Sequence, residues 1–130
     1  VQGVINVDGL DDDGTIYLAE GYGLGRRGTA PQLAAALMTA AAILDLPVTR
    51  RPLPRSLPVD HLPIAAKGIP ALTVLRGGWS SLLRVHQASD RPEALEGRGA
   101  AEVATLLAAA LTLLRDGEAA HLARRRAAGS

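Results

Sequence analysis

The chain has 130 residues, enough for one modest domain, and 48% of them are hydrophobic. Its formal net charge of +1 gives no global attraction to nucleic acid or to an anionic membrane surface. It contains no cysteine, which excludes disulfide bonds and thiolate metal sites, and no apolar run reaches the roughly 20 residues that span a bilayer.

The chain begins with two predicted strands. Val4–Val7 is a short apolar run that predicts a buried strand, and Asp8 stands at its carboxyl end. The acidic run Asp11–Asp13 indicates a solvated turn. A second strand is predicted at Thr15–Leu18.

A helix, a weak strand and a short helix follow. Thr29 is suited to be an N-cap, and apolar residues at spacings of three and four predict a helix from Pro31 to about Leu46. Val48–Arg51 predicts a weak strand. Asp60 is expected to cap a short helix over residues 61–67.

The second half of the chain contains the best-defined predicted strand, Ile69–Leu75, and an amphipathic helix from about Gly99 to Leu114. Residues 1–115 are predicted to form the folded part, and residues 116–130 a charged tail or frayed helix. Strands that alternate with helices predict an α/β fold, with helices packed on a mostly parallel or mixed sheet.

Two residues of this fold are candidates for chemistry. In such sheets, sites gather at the carboxyl ends of strands, which fits Asp8 and the loop after the 69–75 strand that carries His86. A carboxylate at a buried strand end needs a metal ion, a base or backbone donors, and histidine is the commonest metal ligand. Simpler interpretations stay open: Asp8 as a cap of the turn at Gly9, His86 as an exposed loop residue, and His61 as a partner in a local hydrogen bond.

The order of four motifs is more informative than any one of them. The motifs are Asn6-Val7-Asp8-Gly9, Val59-Asp60-His61-Leu62-Pro63-Ile64, Gly68-Ile69-Pro70-Ala71 and Val85-His86-Gln87-Ala88-Ser89-Asp90-Arg91. This set resembles the C-terminal half of the zinc-dependent exopeptidases that include bacterial leucyl aminopeptidase, glutamate carboxypeptidase and glutaminyl cyclase. The resemblance covers roughly Val4 to Leu114 and implies part of a phosphorylase/hydrolase-like three-layer sandwich.

The resemblance implies a pair of zinc ions, with Asp8 binding one and His86 the other. It implies hydrolysis of a terminal peptide bond by zinc-bound water, on a peptide or an amino-acid derivative. Further residues that it implies around the metals or in the substrate pocket are Asp60, His61, Asp90, Gly77 and Gly78. Relatives are often exported or membrane-attached, so the same is expected of the parent protein from the resemblance alone.

The chain departs from the family's pattern in one major respect. The family's His-x-Asp pair and adjacent Glu-Glu pair, which supply the other ligands and the general base, have no counterpart before Asp8, and Glu20 does not replace them. A catalytic zinc normally has three protein ligands, so this chain alone is not expected to hold the metals or to contain a catalytic residue.

The missing ligands predict that the chain is completed by an upstream half of the same domain, because Val1-Gln2-Gly3-Val4 reads like the middle of a strand. The incomplete sheet would then favour self-association and partial exposure of Leu33, Leu37 and Leu44 or of the last helix.

Two other functions are compatible with particular features of the sequence. A non-catalytic, peptidase-like binding or interaction module would also explain the missing ligands. The Gly-x-Gly-x-Gly run at residues 21–25 prompts a dinucleotide site, but its spacing differs from Gly-x-Gly-x-x-Gly.

Overall fold

The structure is a computed structural model that describes residues 3–21, 29–52, 59–78, 81, 87 and 91–129. Its elements in chain order are β1 (Val4–Leu10), β2 (Thr15–Ala19), α1 (Pro31–Ile43), β3 (Val48–Arg50), α2 (His61–Ala65), β4 (Ala71–Gly77), a 3₁₀ turn (Pro92–Ala94) and α3 (Arg98–Ala128). Among these helices, none is long and apolar enough to cross a membrane.

The strands form one mixed sheet in the order β1-β4-β2-β3. β4 pairs in parallel with β1 and antiparallel with β2, and β2 pairs in parallel with β3. The predicted α/β class with a mixed sheet is therefore confirmed. β1 and β3 are the outer strands of the sheet in the part of the chain described here, and self-association through them stays a prediction.

Helices lie on both faces of the sheet because successive strand residues point to opposite sides. Ile16 and Leu18 pack with α1 and α3, in a core that includes the fully buried Leu37 and Leu106. On the opposite face, Tyr17 and its strand neighbours pack in a smaller cluster with the α2 side of the chain. Members of this smaller cluster are Tyr17, Ala19, Val59, Leu75 and the partly buried Leu62.

Of the two predicted helix caps, the one at Thr29 is wrong and the one at Asp60 is confirmed in position only. The N-cap residue of α1 is Ala30, which makes no side-chain cap bond. The Thr29 hydroxyl instead lies within hydrogen-bonding distance of the carbonyl oxygens of Glu20 (2.8 Å) and Ala71, so it joins β2 to β4. Asp60 is the N-cap residue of α2, as predicted, but its side chain makes no hydrogen bond to the helix end.

α3 is longer than the sequence predicts, because its 31 residues continue without a break through the predicted tail. Its first half buries Val103 and Leu106, whereas residues 115–129 are exposed. Partial exposure of apolar side chains is confirmed for this helix, where Leu111 is 57% exposed, and is wrong for Leu37.

Candidate functional site

The parallel pairing of β1 with β4 brings the carboxyl ends of these two strands to one edge of the sheet. The register Val4↔Ala71 to Val7↔Val74 places Asp8 at this edge, beside the last residues of β4. The segment that follows β4 therefore starts beside the end of β1, a few residues beyond Asp8. His86 and Asp90 belong to that segment and lie outside the described residues.

A bulge interrupts β1 at Asp8. The pairing moves from Val7↔Val74 to Leu10↔Arg76, so that both Asp8 and Gly9 stand opposite the single residue between those partners. Gly9 has a φ of +56°, in the left-handed region that favours glycine. Bulges redirect side chains and are frequent beside active sites.

The Asp8 side chain is exposed, and its carboxylate makes no hydrogen bond or ion pair with any residue that the structure describes. The interpretation of Asp8 as a cap of the turn at Gly9 therefore has no contact to support it. Asp8 remains available to a ligand.

The acidic turn after β1 is not the solvated tip that its composition predicts. Asp11 is buried, and its Oδ2 accepts a hydrogen bond of 2.6 Å from the Ser81 hydroxyl. The Asp11 backbone carbonyl accepts a further bond from the guanidinium of Arg76. This turn is consequently part of the packed structure.

Asp12 caps the amino terminus of α3 from a distant part of the chain. Its Oδ1 accepts a hydrogen bond of 2.8 Å from the Gly99 N–H, and its Oδ2 accepts bonds from the Gly97 N–H (3.3 Å) and the Glu96 N–H. These backbone donors, that of Gly99 above all, favour the ionised carboxylate and lower the pKa of Asp12 from its usual value.

Arg76 connects the acidic turn to α3. Its guanidinium is almost fully buried, and its Nε and Nη2 both lie 3.1 Å from Oε2 of Glu102. We call the residues Arg76, Asp11, Asp12, Ser81 and Glu102 the Arg76 cluster. Its polar groups hold one another and the backbone, so its role is structural.

Close packing accounts for one of the two glycines after β4 that the resemblance assigns to substrate contact. A Cβ on Gly77 would lie 2.6 Å from Oγ of Ser81, so the residue needs to be glycine for internal reasons. Gly78 has open space around its Cα, and its N–H donates to Oγ of Ser81 over 3.1 Å. Substrate contact stays a prediction for both positions.

His61 lies fully inside the protein, and both of its ring nitrogens are hydrogen-bonded. Nε2 is 2.9 Å from the backbone oxygen of Glu20, and Nδ1 is 2.7 Å from the hydroxyl of Thr73. Because a carbonyl only accepts, Nε2 carries the proton and Nδ1 accepts from Thr73. Oγ1 of Thr73 also accepts from the Asn6 amide over 3.2 Å.

These contacts make His61 a connector of α2, β2 and β4. The simple alternative of a bond with a sequence neighbour is not what the structure contains, since both partners are distant in the chain. Asp60 is exposed at the start of the same helix. A role of either residue at a substrate pocket stays a prediction.

Glu20 also has internal partners. Its carboxylate pairs with Arg50, whose Nε lies 3.0 Å from Oε2, and its Oε1 accepts from the Ala30 N–H over 3.4 Å. It therefore closes the amino end of α1 and holds the end of β3.

A second group of polar side chains was missed by the sequence interpretation. Cζ of Arg51 lies 5.8 Å from the centroid of the Tyr17 ring. Burial of the phenol raises the pKa of Tyr17, the charge of Arg51 opposes this effect, and the charge of Asp8 adds to it. The pairing of Arg51 with Tyr17 had no local sequence signal, because it depends on the register between β2 and β3.

Comparison with known proteins identifies no relative: no protein-family model, no curated protein and no solved structure matches the chain. Within the described ranges, no group of three or more His, Cys, Asp or Glu side chains is placed to hold a metal ion.

Proposed function

We propose that this chain is the C-terminal part of a zinc-dependent exopeptidase-like domain and supplies Asp8 and His86 as ligands of a metal pair. Such a domain hydrolyses a terminal peptide bond of a peptide or amino-acid derivative. The observation that supports the proposal most strongly is that Asp8 is exposed on a bulge, has no side-chain partner among the described residues and lies at the edge where the segment after β4 begins.

The chemistry of the donor fits the proposed metal. Zinc accepts carboxylate oxygen and imidazole nitrogen, and the Asp8 carboxylate is not engaged by another described residue. When bound, zinc would act as a Lewis acid that polarises the carbonyl of the scissile bond. The remaining ligands and the general base would come from an upstream half of the same domain.

In this proposal the chain's own residues orient the site. The bulge at Asp8–Gly9 takes Asp8 out of the regular strand pairing. The Arg76 cluster fixes the turn after β1, and Ser81 attaches the start of the segment after β4 to Asp11. In the sequence, Asp8 therefore precedes, and His86 follows, backbone that is held by hydrogen bonds.

A zinc titration followed by NMR tests the proposal on the chain itself. We expect zinc to shift the Gly9 amide and the His86 imidazole together, with weak affinity because only two ligands are present. Asp8→Asn should weaken this response about tenfold or more, since even residues behind the ligands cost that much. Asp45→Asn is the matched control, because Asp45 is also an exposed aspartate, lies just after α1 and should leave the response unchanged.

The proposal is contradicted if zinc shifts His121 on α3 rather than His86, or if Asp8→Asn and Asp45→Asn behave alike. A second readout is hydrolysis of aminoacyl and N-acyl-peptide substrates by the full gene product, with Asp8→Asn compared with Asp45→Asn. The enzyme interpretation predicts loss of activity in the Asp8 variant alone.

A non-catalytic peptidase-like module is the second candidate. It is favoured by the internal use of His61 and Glu20, which leaves these two side chains no freedom to act on a substrate. Metal-independent peptide binding by the full gene product, with no hydrolysis, is the outcome that would select it.

A further inference from the structure

A row of residues crosses the α2 face of the sheet from β1 to β3. On β1, Asp8 and Gly9 stand opposite Leu75 of β4, and a Cβ on Gly9 would lie 3.5 Å from the Leu75 side chain. Leu75 pairs in turn with Tyr17 of β2. The guanidinium of Arg51, just after β3, lies over the Tyr17 ring. We call Asp8, Leu75, Tyr17 and Arg51 the Arg51 row.

The middle of the Arg51 row is formed by Leu75 and Tyr17, and a charged side chain lies at each of its two ends. Leu75 and Tyr17 belong to the small buried cluster on this face, to which Leu62 of α2 is packed. Asp8 and Arg51 are both exposed. The strands that carry Asp8 and Tyr17 are separated by two strand spacings, about 10 Å, and the charge of Asp8 acts on the Tyr17 phenol.

The polar groups of the row are not paired within the part of the chain that the structure describes. Among the described residues, Arg51 has its ring contact with Tyr17 but no ion pair, and the Tyr17 hydroxyl has no hydrogen-bond partner. Because no buried side-chain polar atom of the described residues lacks a partner, this hydroxyl reaches solvent, where a ligand can replace water. A guanidinium over an aromatic face keeps its N–H groups free for a planar anion.

We infer that Arg51 and Tyr17 form a subsite for the free carboxylate of a peptide or N-acyl amino acid. The guanidinium would donate two parallel hydrogen bonds to the carboxylate and the Tyr17 hydroxyl a third, and the partly buried Leu62, packed against the cluster that contains Leu75, would contact the aliphatic side chain. One guanidinium with a carboxylate at the other end of the row suits a monoanion better than a dianion such as phosphate.

This subsite would determine from which end the proposed peptidase cleaves its substrate. The free carboxyl end would lie on Arg51 and the scissile bond towards Asp8, so the enzyme would be a carboxypeptidase. Only this consequence depends on the proposed function, because the subsite itself needs no metal.

The test is a titration of the chain with N-acetyl-L-alanine, followed by the backbone amide shifts around Arg51, in the presence of a metal chelator. N-acetyl-L-alaninamide, which lacks only the carboxylate, is the matched probe. We expect saturable binding of the acid and none of the amide. Arg51→Gln should weaken binding about tenfold or more, and Tyr17→Phe about two- to tenfold.

Arg115→Gln is the control, because Arg115 is an exposed arginine on α3 whose ion pair is with its neighbour Asp116. Equal loss in the Arg115 and Arg51 variants, equal binding of the amide, or tighter binding of inorganic phosphate would each overturn the subsite. Since zinc is absent, failure here leaves the metal proposal standing, and failure of the zinc titration leaves the subsite standing.

Discussion

Two groups of polar residues lie on opposite faces of the same sheet, and they differ in how their charges are satisfied. In the Arg76 cluster, the guanidinium is buried and bonded to a carboxylate and to backbone oxygens. In the Arg51 row, the guanidinium is exposed and its ion-pair capacity is unused by the described residues. The first arrangement stabilises the fold, whereas the second leaves groups that a ligand can engage.

The largest expected difference between the two regions is in stability. Arg76→Ala should lower the free energy of unfolding by about 3–5 kcal/mol, because it leaves Glu102 and the Asp11 carbonyl without their buried partner. Arg51→Ala should cost no more than about 1 kcal/mol, the range of an exposed cation–π contact. Urea unfolding measures both, and equal losses would contradict the comparison.

The next effect concerns the close packing beside the Arg76 cluster. A Cβ on Gly99 would lie 2.1 Å from the Asp11 carbonyl oxygen, so Gly99→Ala should destabilise by about 1–3 kcal/mol despite the better helix propensity of alanine. Gly78→Ala meets no atom within 4 Å and should change stability by less than about 0.5 kcal/mol. Thermal unfolding of both variants checks this contrast.

The sequence predicted those parts of the molecule that depend on local patterns. β1, β2 and β4 are apolar runs of strand length, and α1 and α3 have apolar residues along one face, so their existence could be inferred. The predicted strand ends at Val7, whereas β1 continues to Leu10, so Asp8 lies within the strand at its bulge rather than after it. What no local pattern contains is the sheet order, which sets Asp8 beside the end of β4.

The missed features depend on contacts between distant residues. Asp12 caps a helix that begins more than eighty positions later, and the Thr29 hydroxyl contacts the Ala71 carbonyl rather than its own helix. His61 bonds to Thr73 and to the Glu20 backbone. Each is a polar residue whose partner is determined by the tertiary fold. From the sequence alone, such residues were therefore predicted to lie in a solvated turn, to cap a helix or to belong to a functional site.

A smaller expected effect of the Arg76 cluster is that the stability of the fold depends on pH in the acidic range. Because backbone donors lower the pKa of Asp12, its stabilising contribution is present above its unfolded value of 3.8 and is lost as the pH falls through the lower native value. Asp12→Asn should therefore lower the melting temperature at neutral pH, and this difference should disappear in acid. Asp13→Asn, on the same turn, is the control.

The smallest expected effect is a change in stability at alkaline pH, and it arises from Tyr17 in the Arg51 row. Burial raises the pKa of Tyr17 above its usual 10.0, so the neutral phenol stabilises the fold below that pH and the contribution is lost as the pH rises further. Tyr17→Phe should reduce the alkaline loss of stability. An unchanged slope of unfolding free energy against pH above 10.0 would show that the phenol is not desolvated.

The claim that Asp8 and His86 share one site is tested most directly by cross-linking, since the chain has no native cysteine. Asp8→Cys combined with His86→Cys should be joined rapidly by a short bifunctional thiol reagent in the folded protein. Lys67→Cys combined with His86→Cys is the control, because Lys67 precedes β4 at the opposite edge of the sheet. Efficient cross-linking of the control pair and none of the Asp8 pair would place the two proposed ligands apart and contradict the account.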